Sequence, residues 1–170
     1  RLPEEEIADL IYKFGEERGS RRIARRIVWK RELGEAIKTT RELAETVEKA
    51  IGRLPKDKIH PATRTFQALR IAVNREIEIL EEFIRDAVDS LKTEGKLAII
   101  TFHSLEDRIV KQTFLNLAGK CSCPPRLPRC VCGAEKKVAI VTRKPIVPTA
   151  AETAENPRAR SAKLRVCVKL

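Results

Sequence analysis

The sequence is poor in several residue types, and each shortage excludes something. Its 170 residues include no methionine, one tryptophan, one tyrosine and seven glycines. Without an initiating Met, we expect the natural start to lie upstream. The glycines never form a G-x-G pair, which argues against a glycine-rich nucleotide loop in this chain. No apolar run approaches the roughly 20 residues that span a bilayer, and the opening residues do not resemble a signal peptide. We therefore expect no membrane contact and a cytoplasmic location.

Positive charge is what the sequence has in excess. Lys and Arg total 35 against 24 Asp and Glu, giving a net charge of +11, while 42% hydrophobic residues are enough to bury a core. Such a balance favours a polyanionic partner, with RNA or DNA first. The charge is concentrated at 18–31, which contains six Arg, one Lys and no acid. Within this stretch we predict that Arg22, Arg25 and Arg26 bind RNA.

The first ninety residues have helical spacing. Ser20 is placed to cap a second helix, and Thr39 with Glu42 forms the capping-box pattern that begins a third. From Phe66 to Leu91 the apolar residues, Val73 among them, recur every three or four positions over roughly 38 Å, which predicts one long helix beginning at His60.

After residue 95 the pattern changes to that of strands. The apolar run 97–102 predicts a strand buried on both faces in a parallel sheet. A strand is also predicted at 138–142, and alternating apolar and basic residues at 163–169 predict another with one basic face. The chain thus divides into a helical part, 1–60, and an α/β part, 61–170. The second part lacks the parallel neighbours that its buried strand requires.

Polar residues follow the strand at 97–102, where open α/β sheets bind ligands. His103 and Ser104 are the candidate site residues there. A purely structural alternative is equally open: Ser104 and Asp107 would cap the next helix, Arg108 would pair with a carboxylate, and His103 would satisfy the loop.

Two further basic segments are candidate phosphate-binding sites. Arg64, Arg70 and Asn74 lie on the helix that begins after His60, and helix N-termini and Arg both bind phosphate. Arg158 and Arg160 precede the last predicted strand. For the residues on the helix after His60, a solvated surface is the favoured alternative. Few aromatic residues accompany the second segment, which argues against base stacking in the manner of an RRM sheet.

The cysteines form the pattern C-x-C-x6-C-x-C, made by Cys121, Cys123, Cys130 and Cys132. Four thiolates can bind Zn²⁺ tetrahedrally, but structural zinc sites usually have C-x2-C spacing. A reduced surface loop is the favoured interpretation, with a zinc site as the alternative.

Five motifs occur in order along nearly the whole chain and together resemble the MraW/RsmH family of bacterial S-adenosylmethionine-dependent methyltransferases. They are GEER (15–18), IARRIV (23–28), HPATRTFQALRIAVN (60–74), FHSLEDRIVK (102–111) and NPRARSAKLR (156–165).

The resemblance implies a function, namely N4-methylation of a cytidine of 16S rRNA near the decoding centre, in the small ribosomal subunit. It also implies an α/β fold: a Rossmann-like class I methyltransferase domain with an inserted all-helical substrate-recognition domain. Residues 1–60 would be most of the insertion, and 61–170 the C-terminal part of the methyltransferase domain. The family's principal cofactor-binding residues have no counterpart in this sequence, so we expect the chain alone to be inactive.

The resemblance assigns roles to the candidate residues as well. His103 and Ser104 would line the pocket of the target base, and the candidate arginines would contact phosphate or ribose.

The sequence is compatible with a homodimer. A non-catalytic basic RNA-binding module is the alternative to the methyltransferase.

Overall fold

The computed structural model describes residues 2–53, 59–121, 123 and 134–170. The chain divides into two compact units, Arg1–Glu76 and Ile77–Leu170. This division lies later in the sequence than the predicted one at residue 60, because the helix that follows His60 packs against the first helix of the chain. Which parts correspond to an inserted domain and to a methyltransferase domain stays a prediction.

The described part of the first unit contains four helices: α1 Glu4–Gly15, α2 Ser20–Glu32, α3 Thr40–Ile51 and α4 Thr63–Asn74. Helix α1 packs against α2 and α4, and α2 packs against α3. Their apolar faces meet in a core that includes Ile11, Ile23, Val47 and Ala62. Apolar side chains at helical spacing form this core, as the sequence predicts.

The start of α3 matches its prediction. Thr39 Oγ1 accepts a hydrogen bond from the Glu42 N–H at 3.2 Å, and Glu42 Oε2 accepts one from the Thr39 N–H at 3.2 Å. The capping box is therefore confirmed. The prediction for Ser20 is wrong, because Ser20 is the first residue of α2 and Gly19 occupies the cap. The Gly19 N–H donates instead to Glu17 Oε1 at 2.7 Å.

The single long helix predicted from His60 to Leu91 is wrong. Arg75 has a left-handed backbone conformation, with φ of 53°, and ends α4. Arg70 Nε and Asn74 Nδ2 each donate to Glu76 Oε1 at 3.0 Å, which fixes the chain just beyond the break. Val73, counted in the predicted apolar stripe, is 80% exposed.

The second unit combines helices with a small sheet. Its elements are α5 Glu78–Ser90, β1 Lys96–Thr101, α6 Ser104–Leu117, β2 Val138–Ile140, α7 Ala150–Glu155, a 3₁₀ helix Pro157–Ser161 and β3 Lys163–Lys169. The described strands lie in the order β1-β3-β2, with both pairings antiparallel. Helices α5 and α6 contribute Ile84, Val88, Val110 and Phe114 to a core that also contains Cys167 of β3.

Two predictions about this sheet need correction. In the described part of the chain β1 pairs with antiparallel β3, and it is not buried on both faces: Ile99 packs on the core, whereas Ile100 is 59% exposed. The predicted basic face of β3 is not a solvent-facing surface, because Arg165 is buried. The mixed helix and sheet architecture agrees with the α/β class. No helix among the described residues is long and apolar enough to cross a membrane.

Candidate nucleic-acid interface

A cavity of about 350 Å³ opens between α2 and α3 in the first unit. Its lining consists of Arg22, Arg25, Arg26 and Trp29 from α2 with Lys49 and Ala50 from α3. Helical spacing explains the arrangement, because residues three and four apart share a face of α2. The three arginines predicted from the 18–31 stretch are therefore brought together at one site.

The charge of this cavity is almost uncompensated. No carboxylate is part of its described lining. Among the described residues Arg22, Arg26 and Lys49 have no acidic partner, and Arg25 has only an exposed contact with Glu4, with Nε 3.6 Å from Oε1. Exposed ion pairs of this kind contribute little, about 0–1 kcal/mol. The cavity is therefore suited to an anion.

An aromatic ring completes the cavity. The guanidinium carbon of Arg26 lies 4.8 Å from the centroid of the Trp29 ring, a cation–π distance, and Trp29 is 46% exposed. The reasoning from sequence missed both Trp29 and Lys49. Trp29 follows Arg26 by three residues, so helical spacing alone predicts that Trp29 shares a face of α2 with Arg26. Lys49 comes from another helix, which no local pattern can reveal.

The other candidate cations of the first unit are engaged by acids. Arg64 has its Nη1 3.6 Å from Glu17 Oε2, while Arg70 and Asn74 both donate to Glu76. Arg64 and Arg70 are still about half exposed. Their local role is thus to hold neighbouring turns, and a role in RNA binding stays a prediction.

Arg158 and Arg160 lie in the second unit, on the short 3₁₀ helix Pro157–Ser161. Asn156 caps this helix by accepting a hydrogen bond from the Arg158 N–H at 3.2 Å. Both arginine residues are exposed. A role of these two residues in RNA binding stays a prediction.

His103 and Ser104 lie at the start of α6, directly after β1. In the structural alternative Ser104 caps α6, and this is wrong. His103 is the cap, because its Nδ1 accepts a hydrogen bond from the Glu106 N–H at 3.3 Å. The other ring nitrogen, Nε2, lies 2.8 Å from Glu106 Oε1. Ser104 is exposed.

Glu106 completes this cap. Its Oε2 accepts a hydrogen bond from the Phe102 N–H at 2.8 Å. Burial opposes ionisation of the carboxyl, but the His103 side chain and the Phe102 N–H outweigh it and hold the pKa of Glu106 below its usual range. A carboxylate therefore faces the imidazole at the turn after β1.

Asp107 is a buried anchor rather than the cap that the alternative proposed. Arg165 of β3 donates to it twice, with Nε 2.6 Å from Oδ1 and Nη2 3.1 Å from Oδ2. Lys163 adds a third contact at 3.5 Å. The Arg165 hydrogen bonds hold the pKa of the Asp107 carboxyl below its usual range. The pair therefore fastens α6 to the sheet beside the candidate residues.

Half of the cysteine pattern falls outside the described residues, since Cys130 and Cys132 are not among them. Cys121 is exposed and Cys123 partly buried, and the Cys123 N–H donates to Cys121 Sγ at 3.4 Å. The zinc prediction is thus untested. Cys167 is a different case: it is fully buried in β3, and burial raises the pKa of its thiol to about 11.

Comparison with known proteins decides the family. The model of the MraW methylase family matches residues 1–170. The chain belongs to the MraW methylase family. It is 53% identical over 167 residues to ribosomal RNA small subunit methyltransferase H of Clostridium botulinum (strain Kyoto / Type A2), covering 98% of the chain and 54% of that relative.

Two other relatives carry the same name. The protein of Brevibacillus brevis is 51% identical over 168 residues, covering 98% of the chain and 53% of its own length. That of Trichlorobacter lovleyi is 51% identical over 166 residues, covering 97% and 53%. The chain of this MraW-family member thus spans about half the length of the curated relatives it matches.

Proposed function

We propose that this chain is part of an S-adenosylmethionine-dependent methyltransferase that methylates the N4 atom of a cytidine in 16S rRNA, near the decoding centre of the small subunit. Membership of the MraW methylase family supports the reaction class. The names of the relatives support small-subunit rRNA as the substrate.

The cation-lined cavity of the first unit is the observation that carries the RNA part of this proposal. Four cations and an exposed indole ring converge there with no acid in the described lining. Phosphate contacts of this kind position a protein on nucleic acid without reading its sequence. The first unit therefore orients the substrate, while the choice of cytidine belongs to the methyl-transfer site.

Among the residues that the structure describes, the cavities given above and below do not fit S-adenosylmethionine. A nucleoside cofactor in a Rossmann-like domain is held by a glycine-rich turn and an acid that binds the ribose. The cavity against α6, about 270 Å³, is lined by Lys111, Arg143 and Arg165 with Thr142 and three apolar residues, and its described lining contains no carboxylate.

In this reaction the role of the chain is to position the target base. The N4 lone pair of cytosine is delocalised into the ring, so the amine is a weak nucleophile. Holding it in line with the methyl donor lowers the barrier by removing motional freedom before the reaction. The base must also leave its stack, at a cost of a few kcal/mol. Contacts with the flanking phosphates offset that cost.

Mapping the methyl group tests the proposed function directly. The full-length protein that contains this chain is incubated with small ribosomal subunits and labelled S-adenosylmethionine. We expect label in 16S rRNA and, after nuclease digestion, N4-methylcytidine by mass spectrometry. The 170-residue chain alone should transfer no methyl group. Label on another atom or another base would contradict the proposed specificity.

Substitutions at the start of α6 test the base-pocket role of His103 and Ser104. In the full-length enzyme Ser104→Ala should lower methyl transfer up to about tenfold, the value of one lost hydrogen bond, with an unchanged melting temperature because Ser104 is exposed. His103→Asn should lower transfer similarly, because asparagine keeps the cap but removes the imidazole.

His103→Ala is the matched control for stability. Loss of the cap should cost about 1 kcal/mol in this variant alone. Wild-type transfer by His103→Asn, together with a lower melting temperature for His103→Ala, would show that His103 serves only the helix.

A non-catalytic basic RNA-binding module remains the second candidate, favoured by the same cavity. It predicts rRNA binding by the full-length protein without incorporation of label.

A further inference from the structure

We propose that Trp29 and Arg26 form a stacking platform for one unpaired nucleobase, while Arg22, Arg25 and Lys49 bind the phosphates beside that base. The ligand class is a single-stranded polynucleotide. This inference rests on the proposed function for its choice of RNA, and it adds a specific contact to it.

The position of the indole ring is the first argument. Trp29 is 46% exposed although it belongs to a helix whose other face forms a core. It lies in the wall of the 350 Å³ cavity, a volume within the range of about 300–1,000 Å³ typical of small-ligand pockets. A flat aromatic surface at such an opening is available to a planar ligand.

The surrounding charge selects the kind of planar ligand. The cavity lining supplies four cations and no described acid, so the ligand is anionic. A nucleotide combines a stacking face with a phosphate in one unit, whereas the Asp and Glu residues of an acidic peptide supply the charge without a stacking face. Nucleobases stack both on aromatic side chains and on guanidinium planes.

The state of Arg26 supports the same conclusion. Its Nε is buried without a hydrogen-bond partner among the described residues, and no described carboxylate neutralises it. The contact with the Trp29 ring is therefore what orients the guanidinium. Arg26 and Trp29, with Lys49, also line a second, smaller cavity of about 170 Å³, whose lining includes the carboxylates of Glu35 and Glu45. A base stacked on this pair meets a preorganised surface.

Intrinsic fluorescence tests the platform without any labelling, because Trp29 is the only tryptophan of the chain. The 170-residue chain is titrated with an oligouridine octamer and with an abasic octamer of the same length and phosphate number. We expect the oligouridine to quench Trp29 emission and to bind about 5- to 150-fold more tightly than the abasic strand.

Variants at two exposed aromatic residues provide the matched comparison. Trp29→Ala should weaken oligouridine binding by the same factor and leave binding of the abasic octamer unchanged, whereas Trp29→Phe should retain part of the difference. Tyr12→Ala is the control, since Tyr12 is 62% exposed on α1 and lies outside the cavity lining. Circular dichroism checks folding, and the wild-type quenching stands even if Trp29→Ala does not fold.

Several results would overturn the proposal. Equal affinity for both octamers with unchanged emission would leave a purely electrostatic phosphate site. Equal quenching and affinity with oligoglutamate would indicate an acidic protein partner instead. The methylation assay tests the proposed function independently. Base stacking on Trp29 can be absent while methyl transfer occurs, and methyl transfer can be absent while stacking occurs.

Discussion

Replacing Asp107 with alanine is expected to destabilise the second unit by about 3–5 kcal/mol. Asp107 and Arg165 form a buried pair, with side chains only 12% and 7% exposed. Removing the carboxylate leaves the guanidinium desolvated without its main partner, and that uncompensated charge is costly. Proteins are stable by only about 5–15 kcal/mol, so the loss is a large fraction of the total.

Cys167 reports this unfolding. Its thiol is buried in β3, and a pKa raised to about 11 keeps it protonated and inert in the native state. Alkylation in a urea series, followed by mass spectrometry of the Cys167 peptide, gives the unfolding midpoint. Arg85→Ala is the matched control, because its ion pair with Glu81 is exposed. It should change stability by less than about 1 kcal/mol.

The pair can also be replaced rather than broken. Asp107→Leu combined with Arg165→Met removes both charges and should recover most of the lost stability. If the single Asp107→Ala change and the Arg85→Ala control shifted the midpoint equally, the pair would be no more important than a surface contact.

The pH dependence of stability follows from the same contact. Because Arg165 lowers the pKa of Asp107 in the folded state, the carboxylate contributes its full stability above the unfolded pKa of about 4. That contribution is lost as the pH falls through the folded pKa. Wild-type stability should therefore decline more steeply below about pH 4 than that of Asp107→Asn.

Local patterns predicted much of this fold correctly. The capping box at Thr39 and the strand beginning at Val138 depend on neighbours in sequence, and both are confirmed. The break at Arg75 was missed because the apolar spacing continues unchanged on either side of it. Side-chain contacts to Glu76 accompany the break, and hydrophobic periodicity does not contain them.

In the candidate site as well, local spacing in the sequence predicted some contacts, and contacts between distant residues were missed. The arginines of α2 were grouped correctly, because helical spacing alone places them on one face. Lys49 joins them from α3, and Arg165 reaches Asp107 across 58 residues of sequence. Arg165 was predicted to lie on one basic face of its strand. Strand alternation defines two faces but does not say which of them is covered.

Affinity for single-stranded RNA is expected to fall roughly 300-fold between 50 and 200 mM salt. Six cations of the first unit in contact with phosphates give a slope of about −4 in log affinity against log salt concentration. The candidates are Arg18, Arg21, Arg22, Arg25, Arg26 and Lys49, most of them exposed. Each phosphate contact releases condensed counterions, and added salt opposes that release.

Paired substitutions separate this surface from net charge. Arg22→Gln with Arg25→Gln removes two contacts, so the slope should become shallower by about 1.4. Lys92→Gln with Lys96→Gln changes the net charge equally at exposed positions of the second unit and should leave the slope unchanged. Fluorescence anisotropy of a labelled RNA across a salt series measures both slopes. An affinity that stayed constant between 50 and 200 mM salt would contradict phosphate binding, because neutral contacts release no counterions.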